Sequence, residues 1–112
     1  MQDEPDNLVK IEFNDLVALE QINEMVYFRT IKENYMSFKL SFSKMMNLLR
    51  RHPSFIQVSS SAMISKLHIK SFLGDQIVLT GGVPIALTNK YKDSFLSFVK
   101  QNLLKNKLIN DN

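Results

Sequence analysis

Two neighbouring stretches decide the fold of this chain: FIQVSSSAMISKLHI at residues 55–69 and IVLTGGVPIALTNKYKDSF at residues 77–95. The first is a run of strand-forming residues interrupted by three consecutive serines. The second places an apolar segment on each side of Gly81-Gly82 and then changes abruptly to a helical pattern. Because both glycines tolerate positive φ, the pair predicts a two-residue hairpin turn between two strands.

Further short strands are predicted around these stretches. Residues 9–13 alternate apolar and polar side chains, as a half-buried strand does. Residues 16–20 and 25–31 predict two more strands joined by a hairpin, and residues 35–40 show the clearest alternation in the chain. Pro84 cannot donate a hydrogen bond to a strand ladder, so its strand is expected at the edge of a sheet.

Two helices complete the predicted domain. Apolar residues recur every three or four positions over residues 42–49, which indicates a short amphipathic helix. Ser41 or Ser43 can cap its start, and Pro53 ends it. A second helix is predicted over residues 88–103, where one stripe is apolar. The chain is therefore expected to be mainly β, with a short middle helix and a C-terminal helix.

Length and composition limit the protein further. The 112 residues suit a single domain, and the hydrophobic fraction of 45% is enough for one core. We expect a linker at residues 1–7, the domain at residues 8–104 and a polar tail at residues 105–112. The chain contains no Cys, which fits a reducing compartment such as the cytoplasm. No apolar run approaches the ~20 residues that a membrane span needs.

Charge is distributed unevenly along the chain. Residues 1–33 carry eight acidic and three basic side chains, a net charge of −5. Residues 34–112 carry eleven basic and three acidic side chains, a net charge of +8. Such asymmetry favours a polyanionic partner, although solvated surface lysines give the same pattern.

Catalytic and metal-binding signatures are not recognisable in the sequence. His52 and His68 have no metal-ligand spacing with another His, Asp or Glu. The three serines lack the glycines of a nucleophile elbow, and Gly81-Gly82 lacks the Lys-Ser/Thr sequel of a phosphate loop. We therefore expect neither an enzyme nor a bound cofactor or metal.

The order and spacing of the two stretches resemble the core of the LytTR-type DNA-binding domain, a mostly β module at the C-terminal end of bacterial transcription regulators. The first is similar to that family's Phe-(Ile/Leu)-Arg-Val-His-Arg-Ser-Tyr-(Ile/Leu)-Val-Asn-Leu passage, and the second to its glycine turn followed by Ile-Pro-Val-Ser-Arg-x-Tyr. The residues in register are Phe55, Ile56, Val58, Ser61, Met63, Ile64, Ile69, Ile85, Leu87, Thr88 and Tyr91. The resemblance implies a LytTR-like arrangement of short antiparallel strands.

The resemblance also implies how the domain contacts duplex DNA, through loops between strands and at the start of the last helix. The family's reading Asn and Arg correspond to Ser65 and Asn89, and its His-Arg pair to Ser59 and Ser60. Lysines beside these positions are suited to phosphate contact. The candidate DNA-binding residues are Ser59, Ser60, Ser65, Lys66, Asn89, Lys90 and Lys92.

These replacements weaken base reading more than phosphate binding. Arg and Asn bond a base edge at two atoms, whereas Ser65 can offer only one short contact. Asn89 can read adenine or can cap the last helix instead. Capacity for phosphate contact is retained in Lys66, Lys90 and Lys92 and in Arg50-Arg51 at the end of the first helix.

The leading hypothesis is the DNA-binding output domain of a bacterial response-regulator type transcription factor from a two-component system. It implies duplex DNA as partner, two copies on paired sites, and control by an upstream receiver or membrane sensor. The alternative is a LytTR-like protein-interaction or dimerisation module that has lost sequence-specific reading. A third hypothesis is a small β-rich ligand domain or one whose basic last helix lies on anionic lipid.

Overall fold

The computed structural model describes residues 9–104, which form eight strands and two helices. The strands are β1 (Leu16–Ile22), β2 (Met25–Thr30), β3 (Asn34–Ser37), β4 (Phe55–Ser59), β5 (Ala62–Ser65), β6 (Ile69–Leu73), β7 (Gln76–Leu79) and β8 (Val83–Ala86). The helices are α1 (Phe42–Arg50) and α2 (Asn89–Phe98), and a π-helical turn (Val99–Leu104) follows α2. The expected mainly β class with a middle and a C-terminal helix is confirmed. The predicted linker and tail lie outside the described residues.

The strands form two antiparallel sheets. The first sheet has five strands in the order β3-β2-β1-β5-β4, and the second has three in the order β6-β7-β8. The predicted edge position of Pro84 is confirmed, because β8 is the last strand of the second sheet and Pro84 pairs there with Val78 of β7. No helix within residues 9–104 is both long and apolar enough to cross a membrane.

The centre of the larger sheet is buried on both faces. In β5 all four residues are buried, and in β1 the first four are. One core cluster contains Leu19 and Met63 and packs under α1, and the other contains Ala18 and Ile64 and packs against the second sheet and Phe95 of α2. The β1–β5 pair therefore separates two cores, which explains why both strands are continuously buried rather than alternating.

The start of the described chain differs from the prediction. Residues 9–13 were expected to form a strand, but Phe13–Asp15 forms a 3₁₀ turn and the first strand begins only at Leu16. The apolar side chain of Phe13 packs its ring edge-on against His52 and Phe55, at centroid distances of 4.7 and 5.8 Å. Ile11 packs against the core cluster under α1, whereas Val9 and Phe13 remain 50% and 47% exposed, so the alternation does not mark a strand of the sheet.

His68 ties this turn to the second sheet. Its Nε2 lies 2.7 Å from the carbonyl oxygen of Asn14, and its Nδ1 lies 3.0 Å from the hydroxyl of Thr80. The N–H of Thr80 also donates to the carbonyl oxygen of His68. Thr80 is thereby diverted from the β7–β8 ladder, in which Leu79 pairs with Val83. The loop contains three residues rather than the predicted two.

The structure also defines the end of β3 and the start of α1. β3 ends at Ser37, whose hydroxyl accepts hydrogen bonds from the N–H groups of Lys39 and Leu40. This side-chain turn stops the strand although the alternation continues. At α1, Ser41 is the N-cap, with its hydroxyl accepting from the N–H of Lys44 at 3.3 Å, so the first of the two capping candidates is confirmed.

We predict that His68→Ala destabilises the domain by about 1–2 kcal/mol, because the substitution removes the side-chain hydrogen bonds to Asn14 and Thr80. Urea unfolding followed by circular dichroism measures the change. Lys70→Ala, at an exposed position of β6, is the matched control and should change stability by less than about 0.5 kcal/mol. Equal stabilities of the two variants would contradict the role of His68.

Candidate nucleic-acid interface

The structure separates the predicted site residues into two groups at opposite ends of the β4–β5 hairpin. Ser59 and Ser60 lie at the hairpin turn, next to the start of α2. The two regions are joined because the N–H of Thr88 donates to the carbonyl oxygen of Val58 at 3.0 Å. Ser65 and Lys66 lie at the other end of β5.

The serine turn (residues 59–61) is held by its own hydroxyl groups. The hydroxyl of Ser59 accepts the N–H of Ser61 at 3.1 Å and lies 3.4 Å from the Ser61 hydroxyl. Ser59 is half-buried, whereas Ser60 is exposed at the tip of the turn. Ser60 is therefore the better placed of the two predicted residues to contact a partner, and Ser59 stabilises the turn.

The start of α2 presents polar and basic side chains to solvent. Thr88 is the N-cap residue, and Asn89 is the first residue of the helix. Asn89 therefore does not cap the helix, and its exposed amide remains available for other bonds. Lys90 is also exposed and has no ion pair with a carboxylate of residues 9–104. The first turn of α2 contains no acidic residue, so the positive end of the helix dipole adds to the charge of Lys90.

A cleft of about 300 Å³ separates the serine turn from β8. Its walls are formed by the serine turn, by residues 84–86 and by Thr88. Glu20 lies at its border, and its carboxylate is bonded to the Arg29 guanidinium at 2.5 Å. That ion pair balances the one negative side chain among the residues that line the cleft.

Lys92 lies next to this group but already has a partner. Its Nζ is 2.7 Å from a carboxylate oxygen of Asp75, in the turn between β6 and β7. The Asp75 side chain is 70% exposed, so the pair contributes only about 0.2–1 kcal/mol. Because the pair is weak and largely exposed, a phosphate can compete with Asp75 for Lys92.

Ser65 and Lys66 are not brought into this group. Ser65 is completely buried, and its hydroxyl accepts the N–H of Leu67 at 3.2 Å, which caps the 3₁₀ turn after β5. Lys66 is half-buried, and its Nζ lies 4.9 Å from the ring centroid of Phe98 near the end of α2. Both side chains are thus occupied within the fold, away from the start of α2.

The structure joins Arg50, one of the cations expected to contact phosphate, to residues that the sequence did not connect with it. Arg50 at the end of α1 donates to Asn47 at 2.7 Å and to Gln57 of β4 at 2.9 Å. The Gln57 amide nitrogen in turn donates to the Tyr91 hydroxyl at 3.2 Å and to the carbonyl oxygen of Ser59 at 2.9 Å. No local sequence signal connects Gln57 with Tyr91, because 34 positions separate them.

The chemistry available here is binding rather than bond breaking. Serine hydroxyls, amides and ammonium groups can donate to phosphate oxygens and to base edges. The two histidines are bonded elsewhere, His52 to the N–H of Ser54 and His68 to Asn14 and Thr80, so neither activates a serine of the turn. Within residues 9–104 no cluster of three or more His, Cys, Asp or Glu residues could hold a metal ion.

Comparison with known proteins identifies the family and the fold. The family model of the LytTr DNA-binding domain matches residues 6–100. The fold is similar to the LytTr DNA-binding domain of a Bacillus cereus protein described as a methyl-accepting/DNA response regulator, with a TM-score of 0.74 and 20% sequence identity. That match covers 87% of this chain and 92% of the other. A search of curated proteins gave no match.

The two ends of the hairpin should respond differently to serine substitution. We predict that Ser65→Ala destabilises the domain by about 1 kcal/mol, because the N–H of Leu67 loses the hydroxyl of the buried Ser65 as its acceptor. Ser60→Ala, at the exposed tip of the turn, should change stability by less than about 0.5 kcal/mol. Thermal unfolding of both variants measures the difference, and a larger effect of Ser60→Ala would contradict the assigned roles.

Proposed function

The chain belongs to the LytTR DNA-binding domain family, and from this premise we propose that it is the DNA-binding output domain of a bacterial response-regulator type transcription factor. The observation that carries the proposal is the exposed pair Asn89 and Lys90 at the positive end of α2, beside the serine turn. The serine turn and the start of α2 lie side by side at one end of the β4–β5 hairpin, where a groove of duplex DNA can reach both. The family is a DNA-binding family and not an enzyme family.

The proposed contacts are of two kinds, those that read bases and those that hold the domain on the DNA backbone. Asn89 is the candidate for base reading, since its amide can bond adenine at two atoms and does not cap α2. Ser60 adds one hydroxyl at the tip of the turn. Lys90 contacts phosphate, and Lys92 joins it when DNA displaces Asp75. Ser65 and Lys66 support the fold, and the proposal does not require them to touch DNA.

The regulatory setting is also proposed. LytTR-like docking through loops suits two copies on paired sites of one duplex. We further propose that an upstream receiver or membrane sensor controls the domain and that the protein acts in the cytoplasm, where its DNA partner would lie. The absence of Cys is compatible with that compartment.

Binding to random duplex DNA at rising salt tests the proposal directly. We expect salt-dependent binding, with log K falling linearly against log salt as phosphates are neutralised. Lys90→Glu should weaken binding by at least about tenfold, because a phosphate contact becomes a repulsion. Fluorescence anisotropy measures both quantities.

The matched control is Lys39→Glu, which makes the same charge change beyond β3. β3 and β4 are the opposite edges of the larger sheet, so Lys39 lies far from the serine turn. The control should bind within about threefold of the unchanged protein, since only long-range charge is altered. Absence of binding at low salt, or equal loss in both variants, would exclude the proposed docking surface.

The alternative, an interaction or dimerisation module, is favoured by one observation. Met36 and Phe38 are 61% and 75% exposed at the β3 edge of the larger sheet, next to Leu40 at 43%. Exposed apolar side chains grouped in this way are typical of protein contacts. Light scattering without DNA separates the hypotheses, because a concentration-dependent dimer that is lost in Phe38→Ser would favour the module.

A further inference from the structure

Arg50 combines two properties, a guanidinium held by hydrogen bonds and a charge that no described carboxylate balances. Two of its nitrogens donate to neutral amide oxygens, Asn47 Oδ1 at 2.7 Å and Gln57 Oε1 at 2.9 Å. The four ion pairs recorded within residues 9–104 use other cations. Arg50 therefore keeps its full charge while its orientation is restricted.

The Gln57 side chain provides this restriction and makes three hydrogen bonds of its own. Its oxygen accepts from Arg50, and its nitrogen donates to Tyr91 Oη at 3.2 Å and to the carbonyl oxygen of Ser59 at 2.9 Å. The amide thus links the end of α1, the serine turn and the first turn of α2. A guanidinium with five N–H groups retains three for a ligand after two are used.

The surroundings of Arg50 have the charge that a phosphate needs. Lys90 lies one residue before Tyr91, with its Nζ 5.7 Å from the Tyr91 ring centroid. The Tyr91 hydroxyl accepts from Gln57, so its own O–H remains able to donate. Arg50, Lys90 and Tyr91 therefore bring donors from two helices together around the Gln57 side chain.

We propose that Arg50 contacts a DNA phosphate and that Asn47 and Gln57 are positioning residues that hold its guanidinium for this contact. The inference rests on the proposed function, since it adds the end of α1 to the same DNA-binding surface. It predicts a sequence-independent contact, because a phosphate carries no base identity. Holding the side chain in advance lowers the ordering cost that a long, mobile arginine would otherwise incur on binding.

The test compares Arg50→Gln with Arg51→Gln, which removes the same charge from the neighbouring residue. Affinity for a random duplex is measured over about 50 to 200 mM salt. Arg50→Gln should lower the slope of log K against log salt by about 0.9 and weaken binding about tenfold, while Arg51→Gln keeps the slope. Equal slopes for the two variants would overturn the proposal.

Asn47→Ala and Gln57→Ala test the positioning role, because both keep the charge of Arg50 and release its side chain. We expect each to weaken binding about two- to tenfold with an unchanged salt slope. Asn47 is the sharper probe, since its side chain bonds only Arg50 among the described residues. Unchanged affinity in both variants would refute the positioning role.

Two readouts separate this inference from the proposed function. If the unchanged protein does not bind DNA at low salt, the proposed function fails. If it binds with a normal salt dependence but Arg50→Gln behaves like Arg51→Gln, only the Arg50 inference fails. Thermal unfolding of each variant is measured first, so that all binding is measured below its melting temperature. A variant that is merely less stable but still folded keeps the salt slope of the unchanged protein.

Discussion

The pairing of β1 with β5 is the constraint on which the rest of the structure depends. Both strands are buried on two faces, so the larger sheet must be covered by α1 on one side and by the second sheet and α2 on the other. Removing either cover would expose an apolar face at the centre of the sheet. The positions of both helices follow from this need, and the helices carry the proposed interface.

The same constraint explains why the proposed interface, formed by a turn and two helix ends, is ordered. α2 packs its Phe95 into the core, and Thr88 bonds to Val58 of β4, so the first turn of α2 has a fixed place beside the serine turn. Gln57 then links that turn to α1 through Arg50. Because these bonds come from three elements, the donors of the surface are arranged before a ligand arrives, which reduces the ordering cost of binding.

Local pattern predicted those features whose cause is local. The cap at Ser41 and the edge position of Pro84 depend on the chemistry of single residues, and both agree with the structure. Residues 9–13 failed as a strand because apolar alternation does not specify a pairing strand, and Val9 and Phe13 remain about half exposed. The β7–β8 loop gained Thr80 because His68, twelve positions away, bonds it.

The sequence by itself determined the fold class, the short strands and helices and the presence of cations near the serine turn and α2, since these follow from turn chemistry, apolar period and residue type. Only the tertiary structure decided which polar residues face solvent. Ser65 follows three apolar residues in β5 and is buried because both faces of that strand are covered. Arg50 and Tyr91 approach Gln57 because α1 and α2 both pack near β4. Exposure and long-range contact depend on how strands and helices distant in the sequence pack against each other, and a local residue pattern does not encode that packing.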